Sequence, residues 1–356
     1  RRLFFEPGCT MTNLSMTTKS AFAGRELLSS RAIPDEDWEQ LLEAAEALSG
    51  DAGRRPLLAG KRFGLLLLNP SLRTRTSFTV ACFDLGALAV ALTPGQGLWQ
   101  LAHDNKIMDG LAAEHVAEAI PVLGEMLDGL GVRAFAALQD AAVDASEPVF
   151  SAIVKASSVP VLNLESAVDH PHQGLADALA ARRYLNGARS RVVVRWAPHI
   201  KPLPRAVPNS ALCAFAREGH DVVLVHPPGF DLDEGVLNWA QDAARRNGGS
   251  LTVTHDKDSS LQGARIVYAK SWGRSDLYGD AEQGAAAVAG QSPWRVTSAD
   301  LQRTAAAGFM HCLPVRRGVV ADADVLESSA SLVIPQASAR LDVQRATLCR
   351  ASGVQL

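Results

Sequence analysis

The chain has 356 residues, 47% hydrophobic and 21% charged, with a formal net charge of −3. That is apolar material enough for two domain cores, and it excludes a disordered chain. A near-neutral balance gives no global field for nucleic acid or acidic membranes, so an anionic substrate would need a local cluster of cations.

Five cysteines (Cys9, Cys82, Cys213, Cys312 and Cys349) form no Cys-x-x-Cys pair. This argues against a disulfide framework or a zinc site and fits a reducing, cytoplasmic setting. No apolar run is long enough to span a membrane. Arg1-Arg2 and Leu3-Phe4-Phe5 hint at a signal start, but the run breaks at Glu6-Pro7. Met11 and Met16 are candidate starts, and residues 1–20 are expected to form an extension with a disordered end.

Along the chain, apolar runs alternate with amphipathic segments, the pattern of α/β construction. A first set of strands is expected at Phe63–Leu68, Ala87–Leu92, Gly131–Ala136 and Pro160–Leu164. Helices are expected among them at Trp38–Leu48, Thr76–Leu85 and Glu114–Leu127. A long helix, Gln173–Leu185, then leads into a polar stretch and reads as a connector. The second set of strands is Arg191–Ala197, Asp221–His226, Leu251–Thr254, Arg265–Ala269, Gly308–Leu313 and Leu332–Ile334. Its helices are Asn209–Glu218, Gly235–Arg246 and a final Ala337–Ala351. Strands separated by single helices predict two parallel sheets with crossover helices, whose ligands bind at the carboxyl ends of the strands.

Three segments follow predicted strands. In Asn69-Pro70-Ser71-Leu72-Arg73-Thr74-Arg75-Thr76, a helix N-terminus, three hydroxyls and two guanidinium forks suit a phosphate. The plainer reading is a helix cap with two solvated arginines. There is no Gly-x-x-x-x-Gly-Lys, so this is not a nucleotide loop. His170-Pro171-His172-Gln173 puts an imidazole and an amide at a strand-to-helix turn, where a simple capping role competes with binding of a small planar group. Phe309-Met310-His311-Cys312-Leu313-Pro314-Val315-Arg316-Arg317 ends another strand. Adjacent strand residues face opposite ways, which disfavours a Cys312–His311 dyad.

Together, in this order, Ser-x-Arg-Thr-Arg, His-Pro-x-Gln and His-Cys-Leu-Pro resemble the aspartate/ornithine carbamoyltransferase superfamily, over about Gly60 to Ala351. Tyr268-Ala269-Lys270-Ser271-Trp272, Trp196-Ala197-Pro198-His199, Met108-Asp109-Gly110 and Gly131-Val132-Arg133 look like its N-acylornithine branch. The chain lacks the Asp and Ser-Met-Gly features that grip a free α-amino group, as fits an acceptor whose α-nitrogen is acylated. The resemblance leans to the succinyl type. Ala113 stands where acetyl-type enzymes have a glutamate and succinyl-type ones a proline, and Val320 where the acetyl type has a lysine.

The resemblance implies residues 21–168 as a carbamoyl-phosphate-binding domain, with helix 337–356 packing back on it, and residues 169–336 as an acylornithine-binding domain. It implies carbamoyl-phosphate contacts from Ser71, Leu72, Arg73, Thr74, Trp99, Pro171, His172, Leu313 and Arg340. Trp99 would come from a neighbouring subunit, hence a homotrimer with shared sites. Arg133 and His170 would polarise the carbamoyl carbonyl. Gln173, with the backbone carbonyls of Cys312 and Leu313, would hold the carbamoyl NH₂. Glu165, His199, Lys270, Leu313, Arg316 and Ala113 would bind the acylornithine, with Arg316 at the anionic end of a succinyl group.

The implied reaction needs no metal and no redox cofactor, and belongs to arginine biosynthesis: a neutral side-chain amine attacks the carbamoyl carbon and phosphate leaves. N-acetylornithine is the alternative acceptor, and a non-catalytic binding protein on the same fold a remoter one. A nicotinamide dehydrogenase is disfavoured, because Gly95-Gln96-Gly97 has Gln100 in place of the third glycine.

Overall fold

The computed structural model describes residues 26–95, 99–104 and 106–354; the expected extension at residues 1–20, with Met11 and Met16, lies outside them. The first half runs α1 (Asp35–Ala47), β1 (Arg62–Leu67), α2 (Leu72–Asp84), β2 (Leu88–Leu92), β3 (Gln100–Ala102) and β4 (Ala112–His115). It continues with α3 (Val116–Met126), β5 (Gly129–Arg133), α4 (Ala141–Ser146), α5 (Pro148–Ala156), β6 (Val161–Glu165) and α6 (Pro171–Leu185). The second half runs β7 (Arg191–Trp196), α7 (Ala206–Arg217), β8 (Asp221–Val225), α8 (Glu234–Arg246), β9 (Ser250–Thr254) and β10 (Ile266–Lys270). It closes with α9 (Ala281–Ala289), α10 (Ser298–Gln302), β11 (Gly308–Met310), α11 (Ala323–Glu327) and α12 (Val333–Ala351).

The strands form two parallel sheets flanked by helices, ordered β2-β1-β5-β6 and β11-β10-β7-β8-β9. Crossover helices cover both faces, so the central strands are apolar along their length: Val192, Val193 and Val194 of β7 are all buried. In β5, Gly131 is required by packing, because a Cβ there would lie 2.7 Å from Leu164 Cδ1 and 2.9 Å from Phe78 Cε2. The connector α6 is buried along most of its length and joins the two halves. The last helix, α12, runs back over the first sheet's helices, where Arg345 pairs with Asp84 and Arg350 with Asp37.

Four local expectations are corrected. The helix expected from Thr76 starts at Leu72, because the Ser71 side chain accepts from the Thr74 N–H (3.2 Å) and caps it there. The strand expected to reach Ala136 ends at Arg133. Beyond it, Asn69 Oδ1 takes the Phe135 N–H (2.7 Å) and the Asp144 carboxylate takes those of Ala137 and Leu138 (2.8 Å each), in place of a ladder. Leu332–Ile334 is not a strand. The chain makes a bridge from Ser331 to Phe309 and turns into α12 at Val333, whose first turn tolerates Pro335. The helix expected from Glu114 begins at Val116, with His115 Nδ1 accepting from the Ala117 N–H at 3.1 Å; Glu114 instead belongs to the unforeseen β3–β4 pair.

Candidate active site

A cavity of about 710 Å³ opens where the carboxyl ends of both sheets face each other. Its lining includes Ser71, Leu72, Arg73, Arg133, Glu165, His170, Gln173, His199, Lys270, Cys312, Leu313, Arg316 and Arg340, all singled out in the sequence.

At one end is the anion loop. The Ser71 cap places Arg73 in the first turn of α2, where exposed N–H groups and the helix dipole favour negative charge. Arg340 reaches in from α12; it is 3% exposed, and its Nη2 donates to Thr74 Oγ1 at 2.9 Å. Burial, then the nearby Arg133, pulls the Arg340 guanidinium down to about 10, and burial lowers Arg73 too. Both stay charged at neutral pH. The Nε atoms of Arg73, Arg133 and Arg340 are buried with no hydrogen-bond partner in the protein. Among the described residues lining the cavity, Glu165 is the one acid facing this group. Three crowded guanidiniums against one carboxylate make a strong anion receptor.

In the middle, Arg133 pairs with Glu165 and lies over the Phe135 ring, 4.2 Å from its centroid. Glu165 has a φ of 141°, a strained conformation at the end of β6, beside a bulge where it, rather than Leu164, becomes the partner of Arg133. His170 Nε2 is 3.5 Å from Glu165 Oε2. Burial, aided by Arg340 and Arg133, holds its imidazole well below the usual histidine range. It is therefore neutral near pH 7 and can donate one N–H. Gln173 donates through Nε2 to Asp177 Oδ1 (2.7 Å), so its carbonyl oxygen faces Arg340 Nη1 at 3.4 Å.

The opposite wall is the turn after β11. Leu313 (φ 55°) precedes a cis proline, and its N–H donates to His311 Nδ1 at 2.9 Å. That bond occupies His311 Nδ1, and burial raises the Cys312 thiol, leaving it protonated at neutral pH. There is no activated thiolate.

At the far end, Lys270 ends β10 and Arg316 follows the turn. His199 Nδ1 donates to the Lys201 carbonyl (3.0 Å), and its Nε2 accepts from Arg316 Nε (3.1 Å). Burial first, then Lys270 and Arg316, lowers the His199 pKa, consistent with a neutral acceptor.

Five expected residues do not line this cavity. Thr74 lies behind it and holds Arg340. His172 is corrected as a ligand: fully buried, it bonds the Asn163 carbonyl through Nδ1 (2.9 Å) and the Thr347 hydroxyl through Nε2 (3.0 Å). Pro171 is buried at the first position of α6 and is likewise absent from the wall. Ala113 lies on β4 and Trp99 immediately before β3, both outside the cavity of their own chain, and Trp99 is 67% exposed. Val320, linked above to acyl choice, is packed in the core with Ala197, Ala269 and Phe309.

Sequence reasoning missed Lys201, Leu203, Pro204, Val207 and Phe135 in the lining. Lys201, a cation two residues beyond the quoted His199, carried a signal; the apolar ones carried none.

The first domain matches the description "Aspartate/ornithine carbamoyltransferase, carbamoyl-P binding domain" over residues 25–183. Residues 205–351 match "Aspartate/ornithine carbamoyltransferase, Asp/Orn binding domain". The chain is 40% identical to an N-acetylornithine carbamoyltransferase of Xanthomonas campestris pv. campestris, over 83% of this chain and 88% of that protein. It is 38% identical to an N-succinylornithine carbamoyltransferase of Bacteroides thetaiotaomicron, over 79% of this chain and 84% of that protein. Among solved structures, a mutant N-acetyl-L-ornithine transcarbamylase complexed with carbamyl phosphate and N-succinyl-L-norvaline superposes with a TM-score of 0.88 at 38% identity, covering 91% of this chain and 98% of that one. Two matched domains, a shared fold and this cationic cleft lead to one assignment: the chain belongs to the aspartate/ornithine carbamoyltransferase family and is a carbamoyltransferase.

Proposed function

We propose that the chain transfers the carbamoyl group of carbamoyl phosphate to the side-chain amine of an N-acylornithine, and that the acyl group is succinyl. The observation that carries the succinyl reading is the charge of the acceptor end. Lys201, Lys270 and Arg316 line it, and the one lining acid, Glu165, is engaged by Arg133. A succinylornithine with a neutral amine brings two carboxylates to those cations, whereas an acetylornithine brings one. The relatives named for acetylornithine, at 40% identity, keep the acetyl acceptor as the second reading.

In the proposed reaction, Ser71, Arg73 and Arg340 bind the phosphate. Arg133 and neutral His170 donate to the carbamoyl oxygen, where negative charge develops. Gln173 Oε1 and the Cys312 and Leu313 carbonyls accept from its NH₂. The neutral amine attacks the carbamoyl carbon, the C–N bond forms, and the C–O bond to phosphate breaks. Glu165 is tied to Arg133, and His170 is a poor base so far below its usual range, so the departing phosphate takes the amine proton. Rate enhancement then comes from positioning and fixed charge.

The proposal includes a homotrimer. Exposed Phe83, Leu88 and Trp99 offer apolar surface around the edge strand β2 and the ribbon. In the ribbon Gln100 pairs with Ala112 but Leu101 with Glu114, so Ala113 is the bulged residue, opposite the Gln100–Leu101 step that follows Trp99. A ribbon that lends Trp99 to a neighbour's cavity therefore lends Ala113 with it. Phosphate release from carbamoyl phosphate with succinyl-, acetyl- and free ornithine side by side tests the acceptor. A higher kcat/KM for the acetyl substrate overturns the succinyl reading.

A further inference from the structure

We propose that Asp177 is a positioning residue for carbamoyl recognition: its carboxylate fixes both walls of the carbamoyl pocket, one through Gln173 and the other through Gln336 and His311. This rests on the placement of the carbamoyl group against Gln173 given above.

Asp177 lies one turn beyond Gln173 on α6, and both are buried. Its Oδ1 accepts from Gln173 Nε2 at 2.7 Å and from Gln336 Nε2 at 2.6 Å. Oδ2 has no partner, so a proton held there leaves Oδ1 an acceptor, and Oδ1 permits one orientation of each amide. Gln173 must point its NH₂ at Asp177 and its carbonyl oxygen the other way, to the side where Arg340 Nη1 lies 3.4 Å off. A carbamoyl NH₂ needs an acceptor there. A flipped amide would set NH₂ against NH₂.

The second branch works on the facing wall. Gln336 Oε1 accepts from the His311 N–H at 2.8 Å, at the start of the turn whose Leu313 N–H closes on His311 Nδ1. That turn carries the carbonyls assigned to the other carbamoyl hydrogen. One buried oxygen thus sets the distance between α6 and the β11 turn, although Asp177 does not itself line the cavity.

A carboxylate serving stability alone would give a different kinetic pattern. Gln173→Ala, Asp177→Ala and Asp177→Asn are compared by steady-state kinetics with carbamoyl phosphate and the N-acylornithine. Asn keeps a side-chain oxygen where Oδ1 was. Asp177→Ala is expected to lower kcat about 30-fold, the effect of an unsatisfied, misdirected amide, while KM for the acylornithine moves less than about twofold. Asp177→Asn is expected to restore kcat to within about threefold of wild type. Should Asp177→Ala fail to fold, Gln336→Met cuts the His311 branch alone, and about a tenfold loss in kcat is expected.

Wild-type kcat in Asp177→Ala (or in Gln336→Met, if that variant must stand in) overturns the proposal. So does a rise of both KM values without a fall in kcat. Wild-type kcat in Gln173→Ala overturns instead the placement of the carbamoyl group on which it rests.

Discussion

Arg340 and Thr74 are 266 residues apart in sequence and joined by a 2.9 Å hydrogen bond, so the last helix and the first anion loop build one receptor. Arg340 lies too deep for solvent to replace its charge. Its removal leaves Arg73 and Arg133 to hold a dianion without it.

Arg340→Met should therefore raise KM for carbamoyl phosphate and lower kcat/KM for it by roughly 10- to 100-fold, the worth of a charge-assisted bond of about 1.5–3 kcal/mol. Initial-rate kinetics check it. Arg73→Ala should be more severe and nearly abolish turnover while leaving the circular dichroism spectrum intact. Wild-type affinity for carbamoyl phosphate in either variant removes that residue from the phosphate site.

In the proposed trimer, acyl choice depends on Ala113, a residue outside its own chain's cavity. A glutamate beside a succinyl carboxylate adds like-charge repulsion to desolvation. Ala113→Glu should lower the succinyl reaction much more than the acetyl one, starting from a wild-type preference of roughly 10- to 100-fold. The ratio of the two kcat/KM values is the measurement, and an unchanged ratio rules Ala113 out.

The proposed shared site makes a mixing experiment decisive. Trp99→Ala and Arg73→Ala subunits should each be poorly active alone. Reassembled together, they should regain activity, because some interfaces combine an intact Arg73 with an intact Trp99. No recovery, or an active monomer by light scattering at assay concentration, refutes the shared trimer.

Asp177 gives a stability prediction with a definite sign. Burial raises its carboxyl to about 7, against the hydrogen bonds from Gln173 and Gln336, the nearby Tyr268 hydroxyl and the charge of Arg340, which lower it. The folded state thus holds its proton more tightly than the unfolded one. The contribution is fully present below about pH 4 and is lost as pH rises to 7. Asp177→Asn does not titrate, so its stability relative to wild type should increase between those limits by up to about 4 kcal/mol and stay level above them. Urea unfolding at pH 4.5, 6 and 8 (chosen to bracket about 4 to 7) measures this, and a constant difference contradicts it.

What the sequence made legible was what is continuous along it. Ser71 and Arg73 follow a strand and start a helix, so their joint role could be read from a few adjacent letters. His170 and His172 show the limit of that reading. They share one motif, but successive residues at a helix start turn about 100° apart. Gln173, three places on, therefore returns to the face of His170, while His172 points into the core toward Thr347. Helical periodicity applied inside the motif would have separated them. Phe135 joins the wall through tertiary folding alone, and β3 and β4 are too short to announce a sheet. Asp177 was spaced one turn from Gln173, but its link to Gln336 crosses 159 residues and has no local trace.

The return of α12 over the first sheet's helices has a consequence for synthesis. Gln336, Arg340 and Thr347 all reside on it, and they supply the turn's anchor, a cation of the cleft and the partner of His172. As the chain emerges from the ribosome, the anion loop is made early but stays without Arg340 until the final helix follows. Before that, the faces of α1, α2 and α6 that α12 covers are open to water and to other chains. Completion of the cationic cleft and burial of the core against α12 thus arrive in the same late step.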